Sequence, residues 1–123
     1  MNGMELKVVE HQGVRVGVGP QGAPFLEQAE NSSWLVEACG NAMVDRIVLY
    51  PENLPLGFFD LSSRVAGEVL NKLRMYRVRL AVVRTQDLKL SSRFGEMLVD
   101  ERRYGFFGLF ENDGAALEWL CRG

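Results

Sequence analysis

A valine-rich hairpin opens the pattern of apolar and polar residues along the chain. Residues 6–11 (LKVVEH) and 14–18 (VRVGV) are short segments rich in valine, which is typical of strands. Gln12-Gly13 between them supplies a glycine that accepts a positive φ. The pattern therefore predicts a β-hairpin. The glycines and prolines within residues 19–24 predict an irregular loop after it.

Apolar runs and helical stripes then alternate to the end of the chain. Three runs are typical of buried strands and cover residues 46–50, 79–83 and 106–110. Apolar residues at helical spacing predict helices over about residues 33–42, 62–75, 91 or 92 to 105, and from Asn112-Asp113 onward. The second of these helices has the strongest stripe, which runs from Leu61 to Tyr76.

The order of elements is ββαβαβαβα, which defines the fold class. Strands that alternate with helices of this length form right-handed crossovers and parallel pairs. We therefore expect an α/β protein with a mixed, mostly parallel sheet and an antiparallel hairpin at its N-terminal edge. One domain over residues 1–123 accounts for every segment.

Composition excludes several classes of protein. The chain has 123 residues, 47% of them hydrophobic and 24% charged, with a net charge of −2, as in ordinary globular domains. The longest apolar run, residues 78–83, is too short to span a membrane, so we expect a cytoplasmic protein with no membrane contact. Cys39, Cys121 and the single histidine, His11, do not have the spacing of a zinc site. The sequence predicts neither a metal nor a cofactor.

Positive charge is concentrated in the middle of the chain. Residues 64–103 contain ten Lys and Arg and five Asp and Glu, whereas the rest contains four and eleven. Such a segment could face nucleic acid. However, acidic residues are interleaved, and aromatic residues are not spaced among the basic ones as stacking platforms. We therefore favour helices that display charge to water over nucleic-acid binding.

The segment that joins the 46–50 strand to the strongest helix carries the candidate site. Open α/β sheets bind ligands at the carboxyl ends of their strands, and this segment lies there. Its polar residues are Glu52, Asn53, Asp60, Ser62 and Ser63, its aromatic residues are Phe58 and Phe59, and Glu68 follows on the helix. The alternative is structural, with Asp60, Ser62 or Ser63 capping the helix and the two phenylalanines packing as a plug.

The same segment resembles the small bacterial family catalogued as domain of unknown function 4180. The most specific part is Phe58-Phe59-Asp60-Leu61 with Ala66-Gly67-Glu68 eight residues after its start. The other matching residues are Tyr50, Glu52, Asn53, Leu70, Lys72, Tyr76, Arg77, Val78, Glu101 and Gly105. The likeness covers about residues 32–120 and implies no catalytic residues.

The predicted order of elements is also similar to that of STAS domains (sulphate transporter and anti-sigma factor antagonist) and their SpoIIAA-like relatives. That resemblance implies a regulatory domain with a phosphorylation switch, for which Ser62 and Ser63 are the candidates in this chain. Leu61 separates these serines from Asp60, which departs from the family's motif. A phosphate there would lie near free N–H groups and add about −2 charge.

Two hypotheses of function follow from different classes. The first is a non-catalytic regulatory or protein-interaction module that uses residues 52–60 and the start of the 62–75 helix to bind an unidentified protein partner. The alternative is a small-molecule binding protein or small enzyme that uses a crevice beside Phe58, Phe59, Glu52 and Asp60. A homodimer is also open, since Leu54, Leu56 and Met75 are expected to be exposed apolar residues near this surface.

Overall fold

Five strands form one mixed sheet in which neighbours in sequence are also neighbours in space. The protein is described by a computed structural model that covers residues 5–60 and 63–122, apart from the side chain of Arg102. Its strands are β1 (Lys7–His11), β2 (Val14–Val18), β3 (Arg46–Leu49), β4 (Arg79–Val83) and β5 (Phe107–Phe110), in the order β1-β2-β3-β4-β5. β1 pairs antiparallel with β2, and the remaining pairs are parallel. The predicted fold class is confirmed.

The β1–β2 turn has the geometry that its residues predict. Gln12 and Gly13 have φ values of 53° and 80°, and His11 pairs with Val14 across them. Two consecutive residues of positive φ give a turn whose twist matches that of the flanking strands.

The helices divide unequally between the two faces of the sheet. They are α1 (Ser32–Ala42), α2 (Val65–Met75), α3 (Ser92–Tyr104) and α4 (Asp113–Cys121). Right-handed crossovers between parallel strands taken in sequential order place successive helices on one face. Leu35 of α1, Leu73 of α2 and Phe94 of α3 accordingly share one buried cluster. Leu120 of α4 belongs to a second cluster on the opposite face.

Residues alternate between these two clusters along each strand, as period 2 requires. Ile47 and Leu49 of β3 join the three-helix cluster, whereas Val48 joins the α4 cluster. In β4, Leu80 and Val82 belong to the first, and Ala81 to the second. The central strands are therefore buried on both faces, which explains their continuous apolar sequence.

Capping residues in the sequence correctly predict the starts of two helices and the end of one. The Ser91 hydroxyl accepts from the Phe94 N–H at 3.1 Å, and the Asn112 side chain accepts from the Ala115 N–H at 2.8 Å. Gly105 ends α3 with a φ of 74°. These residues occupy the positions that the sequence predicts.

The start of α2 differs from the prediction. The helix begins at Val65, and Arg64 before it is left-handed with a φ of 67°. Ser62, the predicted first residue, lies outside the described residues, as does Leu61. Leu54 also departs from its expected exposure, because it is buried in the three-helix cluster.

Candidate functional site

The predicted segment forms one side of an open cleft of about 590 Å³, here called the loop cleft. Four of the predicted residues, Glu52, Phe58, Phe59 and Asp60, line it. The other lining residues are Pro24, Glu27, Pro51, Leu54, Pro55, Leu56, Gly57 and Lys89. The structure therefore brings four of the seven predicted site residues that it describes to one concave surface.

Asn53 has a different position, inside the protein. Its side chain is 0% exposed, and its amide nitrogen donates to the carbonyls of Pro20 and Ala23. Its amide oxygen accepts from the Tyr50 N–H at 2.7 Å. Asn53 thus fastens the loop of residues 19–26 to the end of β3, and it is not among the described residues that line the loop cleft.

Further hydrogen bonds reinforce this fastening. The backbone carbonyl of Asn53 accepts from the N–H groups of Phe25 and Leu26 at 3.3 and 2.7 Å. The carboxylate of Glu52 accepts from the Gly22 N–H at 2.8 Å. Glu52 is itself exposed, so it both anchors the loop and contributes charge to the rim of the loop cleft.

The two phenylalanines connect the loop cleft to the core. Phe58 is 1% exposed, and its ring lies 6.1 Å from that of Phe94 and 6.0 Å from that of Phe107. Phe59 is half-buried, with its ring 5.0 Å from Phe58 and 5.4 Å from Phe94. These edge-on and tilted contacts fix the floor of the loop cleft against α3 and β5.

Ser63 lies beside this surface and stabilises the turn before α2. Its hydroxyl lies 2.6 Å from the Gly57 carbonyl and 2.7 Å from the Asp60 carbonyl, and it accepts from the Val65 N–H at 3.2 Å. Gly57 has a φ of 86°, which a residue with a side chain rarely adopts. Ser63 therefore supports the first turn of α2 while its side chain stays exposed.

Glu68 is exposed on α2. Among the described residues, neither Glu68 nor Ser63 is part of the lining of the loop cleft. Ser62 lies outside the described residues. The described part of the predicted site is therefore a cleft with an exposed serine beside it.

A second cleft, of about 610 Å³, was missed by sequence reasoning. This sheet cleft lies between the β1–β2 hairpin and α4, on the face that α4 covers. Its lining residues are Glu5, Lys7, Val9, Val18, Gly19, Pro20, Gln21, Val48, Tyr50, Asp113 and Leu117. Two of its lining residues stand out in the sequence for other reasons, Tyr50 as a residue of the family pattern and Asp113 as part of a helix start, but no spacing brings them together.

Tyr50 is a buried polar residue in the lining of the sheet cleft. Its side chain is buried in the α4 cluster, and its hydroxyl donates to the Asp113 carboxylate at 3.2 Å. Burial raises the pKa of Tyr50 above its usual value, and the charge of Asp113 raises it further, while a hydrogen bond from Gln21 acts in the opposite direction. The phenol therefore remains a hydrogen-bond donor at neutral pH.

The described residues therefore form an α/β domain with a mixed sheet, and the loop cleft and the sheet cleft are open concave surfaces on it. Within residues 5–60 and 63–122, no group of three or more His, Cys, Asp and Glu side chains is placed to hold a metal ion. None of the helices in the described chain has the length and apolar character needed to cross a membrane.

The family model described as Domain of unknown function (DUF4180) matches residues 11–120, and the chain belongs to that family. The resemblance seen in the sequence is thus confirmed for this family. No curated protein and no solved structure gives a significant match to the chain.

Proposed function

We propose that the protein is a non-catalytic regulatory or protein-interaction module whose working surface is the loop cleft. The observation that carries this proposal is the exposure of Leu56, which reaches 96% at the rim of a concave surface. Leu56 is accompanied by apolar side chains of the same cleft, among them Pro24, Pro51 and Phe59. A group of apolar side chains around a concave surface is a feature of surfaces that bind other proteins.

The backbone around Leu56 is held in place before any partner binds. Asn53 and Glu52 fasten one end of the segment, and Phe58 anchors the other end in the core. A surface ordered in advance loses little conformational entropy on binding, which favours recognition.

The charges at the rim indicate the chemistry of the partner. Glu27, Glu52 and Asp60 are exposed acidic residues at the loop cleft, and Lys89 is the basic residue among its described lining. We infer a partner segment that carries Lys or Arg beside an apolar residue, which would contact Leu56. Because these charges are exposed, binding should weaken as the salt concentration rises.

A phosphorylation switch at Ser63 or Ser62 would suit such a module, as the STAS resemblance implies. Phosphorylation of Ser63 would replace the hydroxyl proton, so the side chain could no longer donate to the Gly57 or Asp60 carbonyl. It would also add negative charge beside the acidic rim and strengthen the attraction for a basic partner. In vitro phosphorylation followed by mass spectrometry of the Ser63→Ala variant tests this assignment.

Selection of peptides from a random phage-displayed library tests the interaction proposal. We expect enriched peptides to combine basic and apolar residues, and to lose binding to Leu56→Asp and to Asp60→Asn. The matched control is Met43→Asp, because Met43 is 78% exposed and is not among the residues that line the loop cleft. Enrichment of acidic peptides, or equal binding to the Leu56→Asp variant, would contradict the proposal.

The second candidate function is a small-molecule binding protein or small enzyme that uses the same cleft. Its volume of about 590 Å³ is within the range of metabolite sites, and Phe59 supplies an aromatic wall. The two candidates predict different results of the peptide selection. A small-molecule site would bind its ligand in the cleft, and the library would yield no enriched peptide.

A further inference from the structure

β5 forms one edge of the sheet, and no strand lies beyond it in the described part of the chain. Its pairing with β4 uses alternate residues, since the carbonyls of Phe106 and Phe110 accept from N–H groups on the β4 side. The N–H and C=O groups of successive strand residues point to opposite sides of the strand. Phe107 and Leu109 therefore direct these groups outward, away from β4.

The two helices that flank β5 leave this edge open. A groove of about 320 Å³ runs along it, lined by the residues of β5 together with Leu98 of α3 and Trp119 of α4. Leu98 packs against the three-helix cluster and Trp119 against the α4 cluster. The groove therefore extends from one face of the sheet, around the edge of β5, to the other face, and its side chains are apolar.

The two edges of the sheet differ in their protection against pairing. β1, at the other edge, carries the exposed residues Lys7 and Glu10, and charged side chains on an edge strand discourage the addition of a further strand. β5 has the sequence FGLF, which contains neither a charged residue nor a proline. Because nothing in this sequence opposes pairing, β5 is the edge at which we expect a partner strand.

A second copy of β5 fits this edge in antiparallel orientation. Around a two-fold axis at Gly108, Phe107 lies opposite the partner's Leu109, and Leu109 lies opposite the partner's Phe107. Both residues of each pair direct their N–H and C=O groups toward the other strand, as a hydrogen-bonded antiparallel pair requires. The same register places Phe106 opposite the partner's Phe110, which adds an aromatic cross-strand pair.

The charges at the two ends of β5 favour this antiparallel arrangement. Arg103 precedes the strand and is exposed, and Glu111 follows it with a side chain that is 80% exposed. The contact of Glu111 with Arg84 is long, at 3.8 Å, so its carboxylate is available to a second cation. Antiparallel pairing brings the basic end of each strand next to the acidic end of the other, whereas parallel pairing would bring like charges together.

We propose that the protein is a homodimer in which two β5 strands pair antiparallel across a two-fold axis and join the two sheets into one. The two-fold axis closes the assembly, because each copy uses its β5 edge and charge protects the β1 edge. The residues of β5 are not among the described lining of the loop cleft, so this proposal is independent of the interaction surface there.

Sedimentation velocity of the whole protein, from about 1 µM to about 1 mM, tests for the dimer. We expect a monomer at the lowest concentration and a species of twice the mass at the highest. Amide hydrogen exchange followed by NMR then locates the interface. The amides of Phe107 and Leu109 should exchange about tenfold more slowly in the dimer, because they become hydrogen-bonded, while amides of residues 51–60 keep their rates.

Charge-reversal variants test the antiparallel orientation. Arg103→Glu and Glu111→Arg should each weaken the dimer about fivefold at low salt, because each places like charges at both ends of the interface. The double variant restores opposite charges and should dimerise as the wild type does. Arg93→Glu and Glu37→Arg are the matched controls, because both residues are exposed and lie outside the β5 edge, and neither should change the dissociation constant.

Three results would overturn the proposal. The first is a monomer at every concentration, and the second is a dimer in which the Leu109 amide stays unprotected, as for an interface around Leu56. The third is protection of the Leu109 amide by a peptide from the displayed library in a protein that stays monomeric, which would identify a foreign strand as the occupant. The exchange pattern of the wild-type protein keeps the test decisive even if a variant does not fold.

Discussion

Asn53 shows how much of the candidate site depends on one side chain. Asparagine at this position suggested a ligand-binding group, because its sequence neighbours are polar and lie at the end of a strand. In the structure its amide is occupied by backbone groups of residues 20, 23 and 50. The sequence could not indicate this use, since two of those partners are about thirty positions away.

We expect Asn53→Ala to lower the free energy of unfolding by about 3 kcal/mol, because it leaves two carbonyls and one N–H group without their partner. Urea denaturation measures this change. Asn71→Ala is the control, because Asn71 is exposed on α2, and its effect should stay within about 0.5 kcal/mol. If Asn53→Ala lowers the free energy of unfolding no more than Asn71→Ala does, the hydrogen bonds of Asn53 contribute little to stability.

Local signals in the sequence predict where the secondary-structure elements lie. They predict less well how these elements pack together. The starts of α3 and α4 follow from Ser91 and Asn112, whose cap bonds lie within three residues. The start of α2 does not follow from local spacing, because the Ser63 hydroxyl contacts the Gly57 carbonyl six residues earlier and Arg64 is left-handed. Contacts between helices are harder still to predict from the sequence, because they depend on how the helices pack on the completed sheet.

The ion pair between Arg74 of α2 and Glu101 of α3 is such a contact. Their side chains are 37% and 11% exposed, and Arg74 also lies 5.1 Å from the Tyr104 ring. The second carboxylate oxygen of Glu101 is buried without a hydrogen-bond partner in the structure as described. Loss of Arg74 would therefore leave a largely buried charge uncompensated.

We expect Arg74→Ala to destabilise the protein by about 2 kcal/mol, less than for a fully buried pair because Arg74 is partly exposed. The double variant Arg74→Leu/Glu101→Leu should recover part of that loss, since no charge stays buried. Thermal and urea unfolding give both values. Arg122→Ala, which breaks the exposed pair with Glu118, should change stability by about 0.5 kcal/mol or less.

At the scale of the whole molecule, the fold was predictable and the second cleft was not. The alternation of strands and helices requires parallel pairing, and sequential order follows when each crossover is short. Which face α4 covers, and how much of the hairpin it leaves open, depends on how Leu120 and Ala116 pack against Val48 and Ala81. No spacing in the sequence encodes that placement directly.

The three-helix core also makes stability depend on pH. Burial of Cys39 on α1, with a smaller contribution from the charge of Asp45, raises the pKa of its thiol from 9.0 to about 12. The folded protein therefore holds this proton more tightly than the unfolded chain does. Its contribution to stability is fully present below pH 9 and is lost as the pH rises toward 12.

We expect the free energy of unfolding to fall by roughly 2 kcal/mol midway through this pH range because of Cys39. Urea denaturation at several pH values, compared with Cys39→Ala, isolates this contribution. Tyr50 also has a raised pKa, but both proteins retain it, so the difference between them reports Cys39 alone. Parallel curves for the two proteins would disprove the assignment.

The fastening by Asn53 has a consequence for genetics. The loop of residues 19–26 supplies Pro20 to one cleft and Pro24 to the other, and Asn53 donates to the carbonyls of residues 20 and 23. Alleles that alter this loop should therefore impair both clefts together. A mutant screen should therefore recover Asn53 alleles with broader defects than Leu56 alleles, because Leu56 lines the loop cleft and is not part of the described lining of the sheet cleft.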